Sequence, residues 1–264
     1  MQIEPPATDW TRIDLTGIGI PGVTPSRQQR SRDTTAALLR AGAELLRRHS
    51  LDQLSIEALC TEVGATVGAF YSRFQSKEVY FNVLLELAAR DAAVRQAQMA
   101  QDEGLLAQDL AGLCHAIVGQ ISRWMRAHEG VVRAALKHRD TQPDRWDRIR
   151  MLARATTAGA TPVLLGRMGK GREAAKTRSI AFGFQVVFGT LVNAVLNDPG
   201  PLSIADPEMA ERLGRCLQLQ LEAEIRITSA AKKPARRAAK GAQTTSHAPT
   251  KRTPKARTSA KRRR

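Results

Sequence analysis

At 264 residues and a formal charge of +16, the chain has room for a small domain, a larger helical domain and free ends, and its charge favours a polyanionic partner. The charge is uneven: thirteen Lys and Arg with no Asp or Glu lie between Ala231 and Arg264, leaving +3 for residues 1–230. Three scattered cysteines, Cys60, Cys114 and Cys216, exclude a disulfide scaffold and a cysteine metal motif, and no basic patch followed by an apolar core marks a secretory signal.

Residues 1 to about 30 hold Pro5, Pro6, Pro21 and Pro25 with Gly17, Gly19 and Gly22, which predicts a mobile arm. A first helix is expected from Asp33 to Arg48, with Leu39, Gly42, Ala43 and Leu46 on one face. Ser55 is an N-cap candidate for a second helix carrying Ile56, Leu59, Cys60 and Val63. After a turn at Gly64 and Ala65, a short third helix runs from Val67 to Phe74 with Phe70 toward the core, and Ser76 opens a fourth that reaches about Gln98.

Further helices are expected at Leu106 to His128, Val131 to His138, Asp144 to Thr157, Arg172 to Asn197 and Pro207 to Ile227. No alternating run of β-branched residues calls for a sheet, so the expected class is all-α. The longest apolar run, Ile180 to Leu196, has 17 residues and contains Gln185, Thr190 and Asn193, short for a membrane span. A buried helix at a subunit contact is expected there, without stable membrane insertion.

Residues Leu54 to Lys77 have the pattern of a helix-turn-helix, which makes double-stranded DNA the expected partner. Small residues at the start of the third helix, Thr66, Val67, Gly68 and Ala69, allow close approach to bases, and Val67 or Ala69 suits a thymine methyl. Tyr71, Ser72 and Arg73 add hydrogen-bonding reach, and Lys77 stands at a helix start where backbone N–H groups also favour phosphate. With Ser55, these nine residues form the expected DNA-facing set. Direct readout is sparse, so DNA shape is expected to share in specificity.

The string Leu46, Ser55, Gly64, Gly68, Tyr71, Phe74, Ser76, Lys77 and Glu78 closely resembles the N-terminal domain of the tetracycline-repressor (TetR) family of bacterial transcriptional regulators, over about Asp33 to Leu87. The resemblance implies that Tyr71 and Lys77 hold phosphates, that Thr66 to Ala69 approach the bases and that Arg73 contacts backbone or base. Val67 and Ala69 depart from the family's usual Lys and Ser or Thr, and Ser50 from its usual Gly.

The division expected is an arm over 1–30, a DNA-binding domain over 31–80, a regulatory and dimerisation domain over 81–228 and a disordered basic tail over 229–264. One module covers one half-site, so a homodimer is expected on a near-palindrome. Candidate pairing residues are Phe184, Val187, Phe188, Leu191, Val195, Leu213, Leu217 and Leu221, on the two helices that pair as a bundle in the family. Trp124, Met125, Trp146 and Ile149 are the candidate walls of a pocket for a small apolar or amphipathic effector.

No phosphate-cradling GxxxxGK[ST], nucleophile elbow or HExxH is present, and the glycines of GRMGKGR follow no expected strand, so neither catalysis nor a cofactor is expected. His115, His128 and His138 form no tight metal motif. The expected function is a ligand-responsive homodimeric regulator, most often a repressor, in the cytoplasm on the bacterial nucleoid, its tail adding nonspecific affinity by releasing counterions. The alternative is a nucleoid-associated architectural protein of low selectivity. A helical interaction or membrane-surface protein is a weaker third.

Overall fold

The computed structural model describes residues 19–24, 28–137 and 143–241, with side chains as far as residue 227. The first helix, α1 (Gln29–Arg48), starts one turn before the expected Asp33, where Gln29 donates to the Asp33 carboxylate at 2.8 Å. It is followed by α2 (Ile56–Glu62), α3 (Val67–Tyr71) and α4 (Lys77–Gln101). Each of the last three opens on a hydroxyl that accepts a first-turn amide: Ser55 from Ala58, Thr66 from Ala69 and Ser76 from Val79. Such a cap stabilises a helix by about 1 kcal/mol, which matters most for elements of one or two turns.

Aromatic rings close the small domain. Phe70, Phe74 and Tyr80 meet with centroids 5.1 to 5.3 Å apart and are buried against Leu38, Leu39 and Leu59. The Tyr80 hydroxyl reaches across to the Leu38 carbonyl at 2.7 Å, and a Cβ on Gly42 would overlap that hydroxyl. Gly42 is therefore a place for the Tyr80 ring, not simply one position of an apolar stripe.

The larger part consists of α5 (Glu103–Leu106), α6 (Leu110–Ala127), α7 (Glu129–Lys137), α8 (Pro143–Arg167), α9 (Glu173–Asn197) and α10 (Pro207–Gly241). It is joined to the small domain twice. The long α4 enters it directly, and α7 packs on the end of α1, where a Cβ on Gly130 would lie 2.6 Å from the Arg47 amide nitrogen. Beside it Arg133 donates to the Arg47 carbonyl at 2.7 Å. On the other side α8 grips α4: the Arg145 guanidinium lies 4.6 Å over the Phe81 ring, and Arg148 pairs with Glu86.

Three expectations about element limits change. Helix α8 continues ten residues past Thr157, through Pro162, because Ala160 and Leu164 are buried and packing outweighs the missing amide. Just beyond its end the Met168 and Gly169 carbonyls accept from Lys176, fully buried, at 2.7 Å each. The expected arm is docked over residues 19–24: Thr24 donates to the Arg73 carbonyl at 2.9 Å, Gln75 to Gly22 at 2.9 Å, and Ile20 and Val23 pack on the core. The expected disordered tail begins as a continuation of α10 to Gly241, and residues 242–264 lie outside the described residues. Among the described residues there is no strand, only the Val23–Phe74 bridge.

Candidate functional site

Helix α3 presents Thr66, Gly68, Tyr71 and Ser72 to solvent, with Val67 and Ala69 half-buried between them. A Cβ on Gly68 would meet nothing closer than the Thr66 hydroxyl at 3.8 Å, so internal packing does not demand glycine there. What its absence of side chain does is leave the outer surface clear, as close approach to a base pair requires. Tyr71 is 53% exposed, with its ring edge-on to Phe70.

Two of the expected phosphate or base contacts have other partners within the chain. Arg73 donates to the Thr35 hydroxyl at 3.0 Å, the Ser31 hydroxyl at 2.7 Å and the Ala69 carbonyl, which ties the end of α3 to the start of α1. Lys77 donates to the Leu51 carbonyl at 3.0 Å and the Leu54 carbonyl at 3.3 Å, holding the turn between α1 and α2. Both side chains thus brace the helix-turn-helix, Arg73 at α3 and Lys77 at the turn between α1 and α2. Ser55 and Thr66 likewise cap helices, so the polar atoms clear of internal bonds are chiefly those of Tyr71.

Between α4, α6, α8 and α9 lies a cavity of about 870 Å³. Trp124, Met125, Trp146 and Ile149 all line it, and Trp124 is fixed by its indole N–H to the Ala88 carbonyl at 3.0 Å. The volume falls in the range of small-molecule sites. Arg95, Gln96, Gln120 and Phe188 also line it. Arg95 donates to Asp91 at 2.8 Å, and His128 meets the same carboxylate oxygen at 2.9 Å. Burial pushes the Asp91 carboxyl up, but the hydrogen bonds from His128 and Arg95 outweigh it and hold it below the usual carboxylate range.

The pairing residues expected on α9 and α10 are not on the surface. Phe184, Val187, Leu191, Val195, Leu213, Leu217 and Leu221 are buried in the chain's own core, and Phe188 faces the cavity. Periodicity finds an apolar stripe without saying what covers it, and here the chain covers it itself: Gly183 leaves room for Leu217, and Gln220 donates to the Ser179 carbonyl at 2.8 Å. Among the described residues the large apolar side chains exposed on these helices are Phe182, Val186, Leu219 and Ile227. By length and composition α9 could cross a membrane, yet Ile180, Phe184, Val187 and Leu191 fill the core of a helical domain. Among the described residues no group of three His, Cys, Asp or Glu side chains is placed to hold a metal.

Residues 38–82 match the family model described as bacterial regulatory proteins, tetR family. No curated protein matches the chain. Among solved structures, a TetR-family transcriptional regulator from Mesorhizobium loti aligns with a TM-score of 0.55 at 17% identity, over 76% of this chain and 98% of that one. A transcriptional regulator from Cytophaga hutchinsonii aligns at 0.52 and 12% identity, over 72% and 95%. A tetR-family regulator from Streptomyces coelicolor gives 0.51 and 18%, over 75% and 84%. The amino-terminal helix-turn-helix is thus that of the tetR family of bacterial regulatory proteins, and the chain carries the fold of TetR-family transcriptional regulators.

Proposed function

We propose that this chain is a homodimeric, effector-responsive transcriptional regulator, acting as a repressor that leaves a near-palindromic operator when a small apolar or amphipathic molecule fills the cavity. The observation that carries this reading is α4, one unbroken helix that begins just after α3, the reading helix, and contributes Arg95 and Gln96 to the cavity wall. A ligand that favours one placement of α4 biases the separation of two heads, to the extent that it binds the two arrangements with different affinity. Phe182, Val186 and Leu219 form the proposed pairing surface, and the cations after Ala231 add affinity without reading sequence. The setting is the cytoplasm, on the nucleoid.

A second reading, an architectural protein of the nucleoid, is favoured by the thirteen cations after Ala231 and by the lack of polar side chains at Val67, Gly68 and Ala69. Selection of enriched sequences from random DNA, with full-length protein and a form ending at residue 230 at several salt concentrations, separates the two. A palindrome enriched by both forms supports the regulator. Enrichment of no motif, with binding lost on truncation, supports the architectural protein and overturns the first reading.

A further inference from the structure

The charges around the cavity discriminate among small molecules, an inference that rests on reading the cavity as the effector site. We propose that it takes an amphipathic carboxylate, its head at the arginine corner where α4 meets α6 and its apolar body along Trp124, Met125 and Ile149.

Among the described residues the charged ones lining the cavity are Arg95, Arg150 and Arg154, with no Asp or Glu. At the inner corner the arginines are crowded. Arg123 stands behind the cavity-lining Gln120, to which it donates at 3.1 Å, and its Nε is buried without a hydrogen-bond partner. Burial, then the charges of Arg95 and Arg126, lower its proton affinity, which locates positive charge of one sign in a poorly solvated place. The Asp91 carboxylate is shared between Arg95 and His128.

An anionic head at this corner gains charge-assisted hydrogen bonds and relieves like-charge repulsion. A lipophilic cation would have to leave water for an apolar space whose lining charges, among the described residues, are all positive, and the carboxylates paired with them, Asp91 and Asp147, are already held by Arg95 and Arg150. A neutral apolar molecule would suit the walls and leave the corner unrelieved. Arg154 lies at an exposed position on α8, where it attracts anions toward the cavity; Arg150, also exposed, is paired with Asp147. Because Arg95 belongs to α4, a carboxylate that engages it also bears on the helix leading to the reading head.

Full-length protein with Trp10→Phe retains Trp124 and Trp146 alone, so its tryptophan emission reports on the cavity. It is titrated with dodecanoate, 1-dodecanol and dodecyltrimethylammonium, each below the concentration at which it aggregates. Dodecanoate should bind about tenfold tighter than dodecanol, the worth of one hydrogen bond to a charged group, and the cation most weakly. Arg95→Gln should bring dodecanoate down to the level of dodecanol and leave dodecanol unchanged; if that variant does not fold, Arg123→Gln carries the same comparison. Dodecanol or the cation binding as tightly as dodecanoate, or an anion preference that survives both substitutions, overturns the carboxylate while leaving an effector cavity. Silence with all three probes overturns the cavity as an effector site, and the carboxylate with it.

Discussion

The reading head and the α9–α10 pair are built from the same kinds of side chain, yet they divide inside from outside in different ways. In α1, α2 and α3 the apolar positions occupy one side only, and a single solution buries Leu38, Leu39, Leu46, Leu59 and Phe70. Helix α9 is apolar almost all round. One face, with Phe184, Val187 and Leu191, fills the core; a second, with Phe188 and Val192, walls the cavity; a third exposes Phe182 and Val186. An amphipathic helix announces its partner, whereas an apolar one has its faces assigned by whatever surrounds it.

Leu217 and Leu219 give the widest contrast. Leu217→Asp puts a carboxylate into the core beside Gly183, at a cost above about 4 kcal/mol, and should abolish the cooperative melt seen by circular dichroism. Leu219→Asp, two residues along on the exposed side, should keep the melting temperature within a few degrees and halve the mass measured by light scattering. Equal loss of stability in both would erase the distinction between an inner and a pairing face.

Gly42→Ala, in the head, should cost about 2–3 kcal/mol by forcing the Tyr80 ring out of place, and Tyr80→Phe should recover part of that loss by removing the overlapping hydroxyl. No recovery in the double variant would mean that the helix backbone, and not the hydroxyl, sets the limit. Asp91→Asn tests the other region, where a depressed carboxyl contributes stability only while ionised. That contribution is complete above the ordinary carboxylate value of about 4 and disappears as pH falls through the lower value in the fold. The variant should therefore lose about 2 kcal/mol near neutrality and converge with the parent in acid. Urea curves that stay parallel down the pH scale would rule this out.

The smallest effects separate the supports of the reading helix from its reading surface. Lys77→Ala should lower stability by about 1 kcal/mol through the orphaned turn carbonyls, in addition to any change in DNA affinity. Tyr71→Phe should leave the melting curve unchanged and weaken DNA binding about fivefold in titrations at low salt, the effect of one hydrogen bond. A change in melting temperature on losing the Tyr71 hydroxyl would show that it too is a support.

The fold of the head was legible because its signals are local. Ser55, Thr66 and Ser76 stand immediately before the helices they cap, and Gly64, at φ +65, makes the turn between them. The tasks of Arg73 and Lys77 were not legible, since their partners on α1 and in the turn after it lie 23 to 42 residues away along the chain. In the larger part the apolar pattern placed Trp124, Met125, Trp146 and Ile149 around one space, but it gave no weight to Arg95, a charged residue that lines the same space beside Ala92 and Met99 of α4. The end of α8 was hidden for a related reason: Thr156, Thr157, Gly159 and Pro162 spell a break, and contacts from neighbouring helices override it.

Gly130 has a mechanical corollary. With bare backbone set against the end of α1 at this point and Arg133 fastened to the Arg47 carbonyl, α7 touches the small domain there without an intervening side chain. A tilt imposed on α7 is passed to α1 at this contact, beside a cavity of about 500 Å³ lined by Ser50, Gly130 and Arg133. Genetic suppressors of cavity defects should accordingly collect at Leu46, Arg47, Gly130 and Arg133, where a slight misfit resets the rest angle of the head.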